Sequence, residues 1–205
     1  MTKKPVDEVC TRVPLPLPVP DDASWCSAGR GAAGAWRRVD SPNHDARPEG
    51  ETVRLIVIHA ISLPPDEFGG PGVEQLFTNT LDPAAHPYYA AIHGLRVSAH
   101  YFIRRDGGLI EFVDPDRRAW HAGMSCWEGR ERCNDFSIGI ELEGCDTRPF
   151  EPAQYRRLAD LLRMLCRRYP VEGVVGHSDI APGRKTDPGP CFDWAALGRV
   201  LRRWA

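Results

Sequence analysis

The chain has 205 residues, with 26 Lys+Arg against 28 Asp+Glu and a formal charge of −2. That balance excludes the clustered positive excess needed to hold a phosphate backbone, so no nucleic-acid partner is expected. Hydrophobic residues at 42% beside charged residues at 26% suit a globular domain, and no apolar run approaches the ~20 residues that span a bilayer.

Residues 1–33 read as an extension rich in proline and glycine. Lys3 and Lys4 are followed by Val13-Pro14-Leu15-Pro16-Leu17-Pro18-Val19-Pro20, where alternate prolines forbid the helical core of an export signal and favour an extended tail. A cytoplasmic location is the expectation. Gly29-Arg30-Gly31-Ala32-Ala33-Gly34 spells GxGxxG, but no strand precedes it and no βαβ unit encloses it, so it reads as a linker. The seven cysteines form an odd set without a CxxC pair, which points to reduced thiols.

The globular domain is taken as 34–205. Arg54 to Ile58 is a continuous apolar run expected of a strand buried on both faces, ending at His59. A proline- and glycine-rich loop leads to a short helix over Val73 to Phe77. Segments Val97–Arg104 and Leu109–Val113 flank Asp106-Gly107, a hairpin signal. Phe136–Leu142 predicts another strand, with Ile138, Ile140 and Leu142 on one face and Gly139, Glu141 and Glu143 on the other. After Phe150, the spacing of Tyr155, Leu158, Leu161, Leu162, Leu165, Cys166 and Tyr169 predicts a helix that Pro152 opens and Pro170 stops. A short strand over Gly173–Gly176 ends at His177, and a helix over Asp193–Trp204 closes the chain. The fold class is therefore α/β, a mixed central sheet flanked by helices.

His59 and His177 each follow a predicted strand, where a rigid element meets a functional loop. Asp187 lies in the turn-rich loop after His177. Two imidazoles and one carboxylate leave a fourth tetrahedral position open on Zn²⁺, the pattern of a catalytic site. Asp179 and Cys191, in the same loop region, are rival third ligands. A zinc hydrolase also needs a proton carrier. Glu141 and Glu143 share a strand face with Gly139, whose missing side chain leaves room for substrate or water, and the face does not choose between them. Lys185 is placed to stabilise an oxyanion.

Together, Val57-Ile58-His59, Ser137 to Gly144 (SIGIELEG), and Gly176-His177 with Arg184 to Pro190 (RKTDPGP) resemble the type-2 N-acetylmuramoyl-L-alanine amidases. The likeness is strongest to their cytoplasmic branch, which acts in peptidoglycan recycling, and runs from about Trp36 to Trp194. It implies zinc held by His59, His177 and Asp187, with Glu141 as acid/base and Lys185 polarising the scissile carbonyl. It also implies a substrate cleft lined by Arg96, Trp120 and Arg132 and a 1,6-anhydro-muropeptide substrate. His44, His86, His93, His100 and His121 are not carried over as ligands. The chain departs from the family pattern at Ala60, where relatives usually have Asn. Two other readings share the fold: a lytic amidase acting on intact peptidoglycan, and a non-catalytic recognition module, which would lack part of the metal set.

Overall fold

The computed structural model describes residues 36–202, so the extension 1–33 and its GxGxxG string lie outside the described residues. The strands in chain order are β1 (Trp36–Arg38), β2 (His44–Ala46), β3 (Leu55–Ile61), β4 (Tyr101–Ile103), β5 (Leu109–Glu111), β6 (Arg117–Ala119), β7 (Cys126–Trp127), β8 (Arg130–Glu131), β9 (Ser137–Glu143) and β10 (Gly173–Gly176). Helices are α1 (Gly72–Phe77), α2 (Pro87–Ile92), α3 (Pro152–Arg168), α4 (His177–Ile180) and α5 (Trp194–Arg202). The main sheet has the order β1-β5-β4-β9-β3-β10. β4 and β5 pair antiparallel through the turn at Asp106-Gly107, and the other four pairings are parallel. The mixed sheet flanked by helices is the architecture expected from the sequence.

Alternation along the central strands divides the core. Ile56 and Ile58 of β3, with Ile138, Ile140 and Leu142 of β9, pack against Leu158, Leu161, Leu162 and Leu165 of α3 and Leu197 and Leu201 of α5. Each such buried side chain contributes about 1.5–3 kcal/mol. The leucines of α3 recur at helical spacing, so a single stripe meets the sheet while its arginines line the other sides. The Gln154 side chain fixes the start of α3. It accepts from the Glu151 N–H at 2.9 Å and donates to the carbonyls of Ile103 and Glu143 at 3.3 and 3.0 Å, tying the helix to the ends of two strands. On the opposite face Leu55, Val57 and Val175 pack with Ala122, Cys133, Phe136 and Ile180.

The structure differs from the sequence expectation in several places, among them the unpredicted helices α2 and α4. β3 does not end before His59 but continues to Ile61, because β9 supplies ladder partners through Glu143 after β10 has stopped at Gly176. The hairpin strands are shorter than predicted. The pieces β1, β2, β6, β7 and β8 have two or three residues each, several of them charged, and carry no apolar run from which to read them. All five cysteines among the described residues are free. No helix among those residues is long and apolar enough to cross a membrane.

Candidate metal centre and active-site cleft

Strand register builds the centre. His59 on β3 stands opposite Glu141 on β9, and Gly176 on β10 stands opposite Ile58, so His177 emerges alongside His59 at the C-terminal end of neighbouring parallel strands. Open parallel sheets bind ligands at that end. The loop after α4 then returns Asp187, and its carbonyl accepts from the Ser178 N–H at 2.9 Å. Gly176 permits this return, since a Cβ there would stand 2.8 Å from Pro188 Cδ.

Three donor atoms meet at one point. His59 Nδ1 lies 3.0 Å from His177 Nδ1 and 3.0 Å from Asp187 Oδ2, and His177 Nδ1 lies 3.1 Å from the same oxygen. Tetrahedral bonds of about 2.0–2.1 Å separate ligand atoms by about 3.3 Å, so the triangle has nearly the size that zinc requires. The chemistry fits as well. His177 Nε2 sits 3.0 Å from the Ala122 carbonyl, which can only accept, so that nitrogen carries the proton. In the neutral ring Nδ1 is then a bare lone pair facing a carboxylate oxygen, an arrangement that a cation relieves. Burial pushes His59 down to about 4, which keeps the ring neutral as a ligand must be. Burial would raise Asp187, but its contacts with His177 and His59 outweigh that and hold the carboxyl well below the usual range.

The rival ligands are engaged elsewhere. Asp179, the third residue of α4, accepts at 2.7 Å from the N–H of Gly176 at the helix's N-cap, the reach-back half of a capping box. Cys191 Sγ bonds the Asp146 carbonyl at 3.0 Å. Among the described residues His59, His177 and Asp187 are the group of donors able to hold a metal.

A cleft of about 620 Å³ opens over the triangle, with His59, Trp120, Glu141, Lys185 and Asp187 in its walls. Glu141 is buried, and its Oε2 has no hydrogen-bond partner. Burial, then the charge of Asp187, raises its pKa well above the ordinary value, against the opposing pull of Lys185. Glu143 is absent from these walls. Its carboxylate accepts from the Gly69 N–H at 2.6 Å and the Arg105 N–H at 3.0 Å, anchoring the loop before α1. Trp120 is half-buried and its indole N–H reaches Asp45 at 3.3 Å. Arg96 is exposed in a smaller neighbouring pocket, between wall residues Leu95 and Val97. Arg132 is exposed and pairs with Asp135 at 3.1 Å. The structure therefore gathers the metal donors, Glu141, Lys185 and Trp120, and sets the two arginines outside the cleft.

Sequence reasoning missed the support behind the metal donors. The space over Gly139, expected to admit substrate or water, is filled by His121, whose Cγ would stand 2.4 Å from a Cβ at that position. His121 Nδ1 lies 2.9 Å from His59 Nε2. A glycine inside an otherwise bulky buried strand was the available signal of such a close approach.

The family model described as N-acetylmuramoyl-L-alanine amidase matches residues 49–190, a span that contains the whole metal triangle and Glu141. The chain belongs to this amidase family. It is 61% identical over 167 residues, covering 80% of this chain and 91% of the relative, to the 1,6-anhydro-N-acetylmuramyl-L-alanine amidase AmpD of Escherichia coli K12. A crystal structure of a selenomethionine AmpD derivative superposes with a TM-score of 0.78 at 59% identity, covering 80% of this chain and 93% of that one. The amidase AmiD from E. coli, solved with anhydro-N-acetylmuramic acid-L-Ala-D-γ-Glu-L-Lys, superposes with a TM-score of 0.52 at 34% identity, covering 72% and 57%.

Proposed function

We propose that this protein is a zinc-dependent amidase that hydrolyses the bond between 1,6-anhydro-N-acetylmuramic acid and the L-alanine of a stem peptide, in the cytoplasmic recycling of peptidoglycan. The convergence of His59 Nδ1, His177 Nδ1 and Asp187 Oδ2 beside a buried, unpartnered Glu141 carries this reading. The high identity to AmpD over most of both chains supports the substrate class.

His59, His177 and Asp187 would hold the zinc ion, which supplies Lewis-acid polarisation of a carbonyl and lowers the pKa of water from about 15.7 to about 7. Glu141 takes a proton from the attacking water as its oxygen bonds to the lactyl carbonyl carbon. The same carboxyl then delivers that proton to the alanine nitrogen as the C–N bond breaks, leaving a carboxylate on the sugar and a free amine on the peptide. Burial favours the protonated carboxyl, which assists the first transfer, from the water to Glu141. The exposed Lys185 ammonium faces the cleft and stabilises negative charge on the carbonyl oxygen in the tetrahedral transition state. Trp120 offers the sugar an aromatic wall, and Arg96 and Arg132 are proposed to meet peptide carboxylates as the substrate extends beyond the cleft.

The test is mass spectrometry of products from a defined 1,6-anhydro-muropeptide and from whole sacculi, each with and without chelator. Release of free stem peptide from the soluble substrate, abolished by chelator and restored by zinc, is the expected result. Preferential release from sacculi would instead assign a lytic amidase. Zinc uptake without hydrolysis of either substrate would assign a recognition module.

A further inference from the structure

We propose that His121 is a positioning residue for the metal centre, accepting the Nε2–H of His59 and so holding that ring in the tautomer whose Nδ1 lone pair faces the ion. This rests on the zinc reading above and concerns what stands behind the donors.

The direction of every proton follows from a carbonyl at the end of the chain of contacts. Ser137 Oγ donates to the Cys133 carbonyl at 2.5 Å, and a carbonyl only accepts. The serine hydroxyl is then left with lone pairs, so His121 Nε2, 3.2 Å away, must be the donor to it. A neutral imidazole protonated at Nε2 has a bare Nδ1. That nitrogen lies 2.9 Å from His59 Nε2 and accepts its proton. His59 Nδ1 is thereby stripped of hydrogen and points into the donor triangle. Without this relay a neutral His59 can place its proton on Nδ1, directed at Asp187 or His177, and lose its value as a ligand.

His121 is itself fixed through its backbone and its ring. Asn134 Oδ1 accepts from the His121 N–H at 3.2 Å and from the Ala122 N–H at 2.8 Å. Gly139 lets the ring lie against the strand. The next residue, Ala122, provides the carbonyl that orients His177 at 3.0 Å. One dipeptide, 121–122, thus orients both metal-binding imidazoles, one through a side chain and the other through the backbone. The usual outer partner of such a histidine is a carboxylate, a carbonyl or water. An imidazole in that place fixes the tautomer without adding negative charge behind the ion.

The experiment measures zinc affinity of metal-stripped protein by competition with a chromophoric chelator, with thermal unfolding of the stripped forms as a check on folding. His121→Phe keeps a ring over Gly139 but accepts nothing, and should bind zinc about 10–100-fold more weakly than the parent. His121→Asn, whose side-chain oxygen can accept near the position of Nδ1, should recover much of that loss. A folded His121→Phe that binds zinc as tightly as the parent overturns the proposal, and so does a folded His121→Asn no better than Phe. If His121→Phe fails to fold, Ser137→Ala decides. It frees His121 to adopt the other tautomer and should weaken zinc several-fold, whereas an unchanged affinity overturns the proposal. A parent that takes up no zinc would instead remove the reading on which this one rests.

Discussion

Glu141→Gln should separate what the site needs from what the fold prefers. The parent carboxylate is buried with one oxygen lacking any hydrogen-bond partner, and the anion of Asp187 adds to the cost of its charge. An unsatisfied buried polar group costs about 1–3 kcal/mol, more when charged. The glutamine removes the charge but leaves an amide hydrogen equally without a partner, so the net gain falls at the low end, about 1 kcal/mol. For a domain of this size that raises Tm by about 2–4 °C.

The pH dependence has a definite sign. A carboxyl whose pKa is raised on folding stabilises the fold in its protonated form, below the unfolded pKa of about 4.5, and loses that contribution as pH rises through the folded value. Metal-stripped Glu141→Gln should therefore melt with the parent near pH 4 and above it near pH 8. Hydrolysis of the anhydro-muropeptide by the zinc-loaded variant should fall about 10²–10⁴-fold, the usual weight of a general acid/base. Thermal melts across pH, paired with a product assay, check both arms. A variant that melts below the parent at pH 8, or gains equally at both pH values, would refute the desolvation reasoning; near-parental turnover would remove Glu141 from the chemistry.

Other outcomes follow from the same geometry. Zinc present at a thousandfold excess over its Kd should stabilise the stripped protein by about 4 kcal/mol, a Tm rise of 8 °C or more on the same scale, seen by calorimetry at graded zinc concentrations. A Tm indifferent to zinc would contradict the donor triangle. Asp187→Ala should abolish measurable zinc uptake, whereas Asp179→Ala should keep zinc and lose about 1 kcal/mol with its bond to the Gly176 N–H; metal content and melting temperature together tell the two apart. Gly139→Ala forces a carbon to within 2.4 Å of His121 Cγ and should cost about 1–3 kcal/mol of stability by denaturant titration, with weakened zinc binding as the ring moves.

The long elements were legible because burial writes itself into sequence. The run Leu55–Ile58, the alternation of β9 and the leucine stripe of α3 each answer to one face or two faces of packing. The short strands were not, since two or three polar residues held by a neighbour's ladder carry no pattern of their own. At the site, residue types and strand ends pointed to His59, His177 and a third ligand in the following loop, but Asp179, Asp187 and Cys191 were equivalent on spacing alone. What separates them is local backbone: Asp179 is turned to the Gly176 N–H, and Asp187 is carried back by the Ser178–Asp187 bond. Glu141 and Glu143 share a face in the same way. The Gly69 and Arg105 N–H groups, with the Arg104 guanidinium at 3.4 Å, draw Glu143 off to a structural task. His121 stayed hidden because it reaches His59 from another segment, and Gly139 alone hinted at it.

The order of strands also constrains how a substrate can be handled. Across the sheet the sequence of groups is Glu141 on β9, His59 on β3, then His177 just beyond β10. Neighbouring strands are about 4.7–4.9 Å apart, so the carboxyl flanks the donor triangle on one side, and the outer support through His121 and Ala122 lies behind it. If Glu141 both removes and returns the proton, as proposed, it must act from the β9 side in both steps. On the proposed mechanism the scissile carbon would therefore sit over the donor triangle, with the alanine nitrogen on the β9 side near Glu141. Parallel register fixes this arrangement more firmly than side-chain rotamers do, because a one-residue slip of β9 against β3 would turn Glu141 into the helix-covered core and bring Ile140 or Leu142 into the cleft.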